Sequence, residues 1–232
     1  MKSLIPKVAL LLLVGVVGVW AFNATSNSKQ NNIVPSRNQL RWHAAEAKKA
    51  GKQRVEIPTQ ITEYLGSASD INEASSLYTV VVAEPVEKRT YEADDNTLAT
   101  WYKFRILEHL TEVRSPTCAG CLSLTPPLDM PLDYSSEFLV PRNGGTATID
   151  GVQIEQKESA FPAFQEGQKY LLFVSMYPNG IGLTAGGPLG VFAVEGNEHL
   201  KPLRDEANKI GEGMKEKFQN SLQTLKQKLA KR

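Results

Sequence analysis

Cys118-Ala119-Gly120-Cys121 is the one compact grouping of reactive side chains in this sequence. Two thiols at that spacing serve four known chemistries. Covalent haem attachment requires His directly after the second Cys, and the residue there is Leu122. A closed zinc site requires about two further ligands, whereas His43, His109 and His199 are widely dispersed. Dithiol exchange requires a thiolate stabilised at a helix start, but Leu122-Ser123-Leu124-Thr125 alternates as a strand does and stops at Pro126-Pro127. A small disulfide ring between Cys118 and Cys121, formed in an oxidising compartment, is the reading these residues favour. Exchange chemistry by the same pair is its rival.

Other reactive constellations fail on type or place. No Gly-x-Ser-x-Gly elbow or His-Glu-x-x-His pair occurs, and His43-Ala44-Ala45-Glu46 resembles the latter only superficially. Ser26-Asn27-Ser28-Lys29 has Ser-x-x-Lys spacing but lies in a polar stretch with nothing to orient a base. Gly186 to Gly190 lacks the Lys-Ser/Thr of a phosphate loop and reads as a tight turn. Glu92, Asp94 and Asp95 lack the spaced ligands and Gly of a calcium loop, and read as a solvated hairpin tip. The expectation is a protein without catalytic residues, metal or cofactor.

The compartment is written in the first residues. Lys2 and Lys7 precede an uninterrupted apolar run from Val8 to Phe22, the layout of an export signal. A spanning helix needs ~20 apolar residues, so this run is nearer a signal-peptide core. Cleavage after Ala21 is expected from Val19-Trp20-Ala21. If Leu4 and Ile5 are counted, residues 4–22 also suit an uncleaved anchor in a tilted or thinned membrane setting. The rest of the chain is led out of the cytoplasm, which predicts a periplasmic or secreted protein, anchored or free.

Charge divides the remainder of the chain. Lys29 to Val55 has a balance of +6, Glu56 to Asn197 of −11, and Glu198 to Arg232 of +4. Basic arms flanking an acidic body read as solvated helical faces or as contacts with anionic headgroups, each cation contributing ~1 kcal/mol beside a charged surface. An acidic body argues against nucleic acid as a partner.

The elements follow from periodicity. Phe22 to Asn38 is an Asn- and Ser-rich spacer, with Asn23-Ala24-Thr25 a formal glycosylation sequon. Gln39 to Gln53 reads as a short basic helix ended near Gly51, and Thr59 to Ser76 as helical in part. From Leu77 the pattern becomes extended. Leu77 to Ala83 and Ala99 to Leu110 form a hairpin across Glu92 to Asn96. Further strands are predicted at Leu122 to Thr125, Glu137 to Val140, Thr146 to Ile149, Val152 to Glu155, Lys169 to Ser175, Gly180 to Ala185 and Gly190 to Val194. Asn143-Gly144-Gly145, Asp150-Gly151 and Asn179-Gly180 punctuate them. Short strands without alternating helices predict one antiparallel barrel or sandwich. The chain ends in an amphipathic stripe, Ile210, Met214, Phe218, Leu222, Leu225 and Leu229, which predicts a single helix for packing on the body or for interaction with a partner or membrane.

The run Tyr78-Thr79-Val80-Val81-Val82-Ala83-Glu84, the strand Trp101 to Glu108, the segment Phe164 to Phe173 and the closing Gly186-Gly187-Pro188-Leu189-Gly190-Val191-Phe192 together resemble exported OB barrels of the netrin or tissue-inhibitor type. The resemblance spans Glu63 to Leu203. It implies a five-stranded Greek-key barrel. The chain lacks the amino-terminal metal-chelating Cys and multiple disulfides of the inhibitor branch, so no inhibitory activity is implied. The expected organisation is a signal or anchor over residues 1–22, a spacer with a basic helix over 23–57, a β-barrel over 58–203 and a basic helix over 204–232. Its expected function is that of an exported, non-catalytic binding module for an unidentified protein partner or membrane surface, with a thiol-disulfide protein or a membrane-assembly component as alternatives.

Overall fold

Residues 79–82 are all β-branched, and they open the central strand of a mainly β protein. The computed structural model describes residues 39–58, 68, 70–93, 97–116, 124–204 and 209–231. In chain order the elements are α1 (Gln39–Lys49), β1 (Arg54–Pro58), α2 (Ile71–Leu77), β2 (Thr79–Glu92), β3 (Leu98–His109), β4 (Glu137–Asn143), β5 (Gly145–Ile149), β6 (Val152–Lys157), β7 (Tyr170–Met176), β8 (Gly182–Thr184), β9 (Val191–Glu195), β10 (His199–Pro202), α3 (Lys209–Phe218) and α4 (Leu222–Leu229). They belong to one compact unit, Gln39–Arg232. The expected signal or anchor, the spacer before Gln39 and the Cys118/Cys121 pair lie outside the described residues. No helix among the described residues is long and apolar enough to cross a membrane.

The strands make two sheets rather than the single closed barrel expected. One has the order β10-β9-β7-β2-β3-β4 with β8 beside β7, and the other the order β1-β6-β5. Two features divide them. Gly144 (φ +79°) and Gly145 (φ +140°) turn the chain sharply out of β4, so β5 pairs with β6 instead of extending the larger sheet. At the outer edge of β4 the three-residue β8 offers little to pair with, and the contact is one parallel bridge from Leu139 to Ile181. The uniformly antiparallel pairing expected also fails locally, because β1 runs parallel to β6 from Arg54↔Gln153 to Pro58↔Lys157. Leu124 and Thr125, expected in a strand, are in none.

β2 holds the larger sheet together. Its first five residues pair with β7 and its register with β3 runs from Val81 to Glu92, with irregularities at Val82/Ala83 and Pro85/Glu87. Pro85 has no N–H to donate, so a bulge is where a central strand tolerates it. Side chains then divide by parity. Val81, Ala83, Tyr102, Phe104, Phe138, Val140, Leu172 and Val174 share one cluster. Phe164 plugs it, meeting Tyr102, Phe104, Phe161 and Tyr170 edge-on at centroid distances of 4.9–5.5 Å.

Val80, Val82, Leu171, Phe173 and Phe192 face the other way, and α2, α3 and α4 cover them. The Asp70 carboxylate caps α2 by accepting from the N–H groups of Asn72 (2.6 Å) and Glu73 (3.0 Å). Here the single carboxy-terminal helix expected is corrected, and of the roles weighed for its stripe the structure shows packing on the body. The stripe is split, because Gln219 and Asn220 both take φ +53° and Ser221 caps a new helix through Thr224 N–H (3.2 Å). The stripe is also spent on the body: Ile210, Met214, Phe218, Leu222 and Leu225 are at most 2% exposed, and Leu229 packs against the same cluster. Five of these side chains are core with Leu229 half-buried at their border, and the basic residues of the two helices lie mostly on the outer face.

A separate cluster joins α1 to the small sheet through Leu40, Ala44, Ala47, Ile57, Ile149, Val152 and Ile154. On the outer side of β3 and β4, Trp101, Leu139 and Ile181 bury Met130 from the segment before β4. Asp129 ties that segment down, accepting from Tyr91 Oη (2.7 Å) and from Arg89 Nη1 (2.6 Å). The Tyr91 hydroxyl holds this carboxyl below its usual range. Burial, and then the bond to Asp129, push the Tyr91 hydroxyl up to about 12. A raised folded-state value gives stability that is complete below the unfolded value near 10 and is lost as pH rises through about 12. The melting temperature of Tyr91→Phe should therefore converge on that of the wild type between those two values, measured as a difference so that the other tyrosines cancel. Parallel curves throughout would mean that the Tyr91 hydroxyl is not raised in the folded protein.

Candidate polar cleft between the two sheets

Along β3 the inward positions read Phe104, Tyr102, Thr100, and along β4 Phe138, Val140, Arg142. The aromatic face thus turns polar toward the Gly144-Gly145 turn. Register places Thr90, Thr100 and Arg142 side by side on β2, β3 and β4, with Lys88, Tyr102 and Val140 in the next row. The small sheet closes over this end and leaves an open cleft of about 520 Å³, whose lining includes Lys88, Thr90, Thr100, Arg142, Gln156 and Glu158.

Its frame is fixed by internal hydrogen bonds. Thr100 Oγ1 donates to the Gly144 carbonyl (2.7 Å), so its 2.9 Å contact with Thr90 Oγ1 must have Thr90 as donor. Leu98 N–H donates to Gln156 Oε1 (2.7 Å), which ties the hairpin to β6. Arg142, 8% exposed, donates from Nε to the Phe161 carbonyl and from Nη2 to the Glu158 carbonyl (3.0 Å), stapling the segment that carries Phe164. Burial raises the Tyr102 hydroxyl above its ordinary range, with Arg142 opposing that shift.

The rim is charged. Lys157 Nζ pairs with Glu56 (2.7 Å) and lies 3.7 Å from Glu155, which also takes Arg54; Lys88 Nζ is 3.7 Å from Glu166. The hydrogen bond from Arg54 holds the Glu155 carboxyl below its usual range, and that to Glu56 raises Lys157. Thr146 and Ser159 stand exposed at the mouth. What the arrangement supplies is a buried guanidinium and two rim lysines around a floor whose threonine hydroxyls are spent on internal bonds.

None of the motifs weighed from sequence meets here. Cys118 and Cys121 lie outside the described residues, as do Ser26, Lys29, Asp94 and Asp95. His43 packs edge-on against Trp42 on α1 (4.8 Å), while His109 ends β3 and His199 begins β10. Among the described residues no three His, Cys, Asp or Glu are grouped to hold a metal. Gly186 and Gly187 take φ +57° and +62° in a tight turn, and a Cβ on Gly190 would meet Ala185 at 2.8 Å, so this glycine run serves close packing. The cleft residues were nonetheless visible as polar intrusions in inward register: Arg142 two places after Val140, and Gln156 two places after Ile154. No protein-family model, curated protein or solved structure matches this chain.

Proposed function

We propose that this protein is an exported, non-catalytic β binding module, displayed at a membrane or released beyond it, whose ligand enters the cleft between the two sheets. The observation that carries this reading is the row Thr90-Thr100-Arg142, a polar floor with Thr100 and Arg142 buried and Thr90 half-buried, locked by hydrogen bonds at the mouth of an aromatic core. A floor whose hydroxyls are fixed by internal bonds holds Arg142 in place, and a few precisely placed polar groups beside an apolar wall are a feature binding sites share. The OB-like Greek-key reading belongs to the same proposal. It is supported by β2 pairing with both β3 and β7, and by the parallel Leu139–Ile181 bridge where β4 approaches β8.

The test is native mass spectrometry of the full-length protein purified from its host. Thr146 is exposed at the mouth, so Thr146→Trp should fill the cleft while changing stability by no more than ~0.5 kcal/mol. The wild type should carry a bound small molecule that Thr146→Trp lacks. Equal retention by the two proteins, or no bound species in either, would refute the cleft as the binding site.

A further inference from the structure

Arg142 is only 8% exposed, yet its two side-chain hydrogen bonds end on the uncharged carbonyls of Phe161 and Glu158. A guanidinium has five N–H groups. Those bonds use Nε–H and one hydrogen on Nη2; the remaining three find no acceptor among the described residues. Arg142 is among the residues that line the cleft, and neither carbonyl bond uses Nη1. A buried cation is ordinarily matched by an anion, since taking it out of water is costly otherwise.

Resting on the binding function proposed above, we infer that the cleft takes a ligand bearing an oxyanion, a carboxylate or a phosphate, seated on the free edge of the Arg142 guanidinium with Lys88 and Lys157 reaching over it from the rim. Two carboxylates also line the cleft. Glu155 is occupied by Arg54 and Lys157, and Glu158 presents its backbone carbonyl, not its carboxylate, to Arg142. Lys88 and Lys157 already have Glu166 and Glu56 as rim partners, whereas the Arg142 guanidinium bonds only to neutral carbonyls, so the ligand's charge is complementary to the floor of the cleft. The cleft is far larger than one oxyanion, and the ligand body extends toward Thr146 and Ser159 at the mouth.

The probe is the Arg142 Nε–Hε resonance of full-length protein labelled with ¹⁵N-arginine, assigned by its loss in Arg142→Lys. Sodium phosphate and sodium succinate are titrated separately, against sodium chloride at matched ionic strength. A saturable shift is expected with at least one oxyanion and not with chloride, and the salt saturating at lower concentration identifies phosphate or carboxylate as the preferred group. Lys88→Gln with Lys157→Gln, both exposed and expected to fold, should weaken that saturation by about fivefold. A shift that tracks chloride equally, no saturation by either oxyanion, or an affinity untouched by the double substitution would overturn the inference and leave Arg142 a staple for the Phe161 segment. A ligand lost in Thr146→Trp but silent at Arg142 would defeat this inference alone; a cleft empty in the wild type would defeat the binding reading itself.

Discussion

Gly145→Ala should lower the melting temperature by about 6–12 °C, on the scale of 2–4 °C for each kcal/mol in a protein of this size. A Cβ at residue 145 would stand 2.2 Å from Thr100 Oγ1 and 2.7 Å from Thr90 Cγ2, in a backbone with φ +140°. Overpacking and backbone strain each cost ~1–3 kcal/mol, together about 3. Relief by moving Thr100 would break its bond to the Gly144 carbonyl, which holds the turn between β4 and β5 against β3. Gly167→Ala is the control, since φ there is +75° but nothing lies within 4 Å of the added Cβ. It should cost only the conformational term, about 1 kcal/mol. Equal melting temperatures for the two variants would show that the turn does not hold the sheets in this register.

Deleting Ile210 to Arg232 should abolish cooperative unfolding of the body. The segment contributes five of the side chains buried against Val80, Val82, Phe173, Phe192 and Leu200. At ~1.5–3 kcal/mol per buried large apolar side chain the loss reaches roughly 8–15 kcal/mol, comparable with the ~5–15 kcal/mol that holds a typical domain folded. Some of this is offset because the two helices no longer have to be ordered. Phe218→Ala, a milder version, should cost about 3–5 kcal/mol. A truncated chain that keeps its near-ultraviolet circular dichroism and a sharp melting transition would return these helices to the role of interaction arms.

Strand identities were legible because period-two alternation and Gly-rich turns act locally: the runs from Glu137, Thr146, Val152, Lys169 and Gly190 each became a strand within a residue or two of their expected starts. Partnership was less legible. Arg54–Pro58 is only five residues with one buried side chain, so the strand parallel to β6 gave no periodic signal. The apolar stripe from Ile210 to Leu229 was correct as a buried face, yet its spacing hid the break; the clue was Asn220-Ser221, a residue tolerant of positive φ followed by a good helix cap. Barrel closure depended on how β4 meets β8, a long-range contact that no local pattern encodes. The cleft obeyed the same logic, since Thr90, Thr100 and Arg142 are neighbours only through the register of three strands.

The central claim is that ligand binding occurs over the polar row between the sheets, and hydrogen exchange of the full-length protein with and without its co-purified ligand tests it most directly. The ligand should slow exchange in segments 88–90, 98–102, 142–146 and 155–159, with α3 and α4 unchanged. Protection confined to the helices or to the outer face around Met130 and Asp129, with those four segments unaffected, would contradict it.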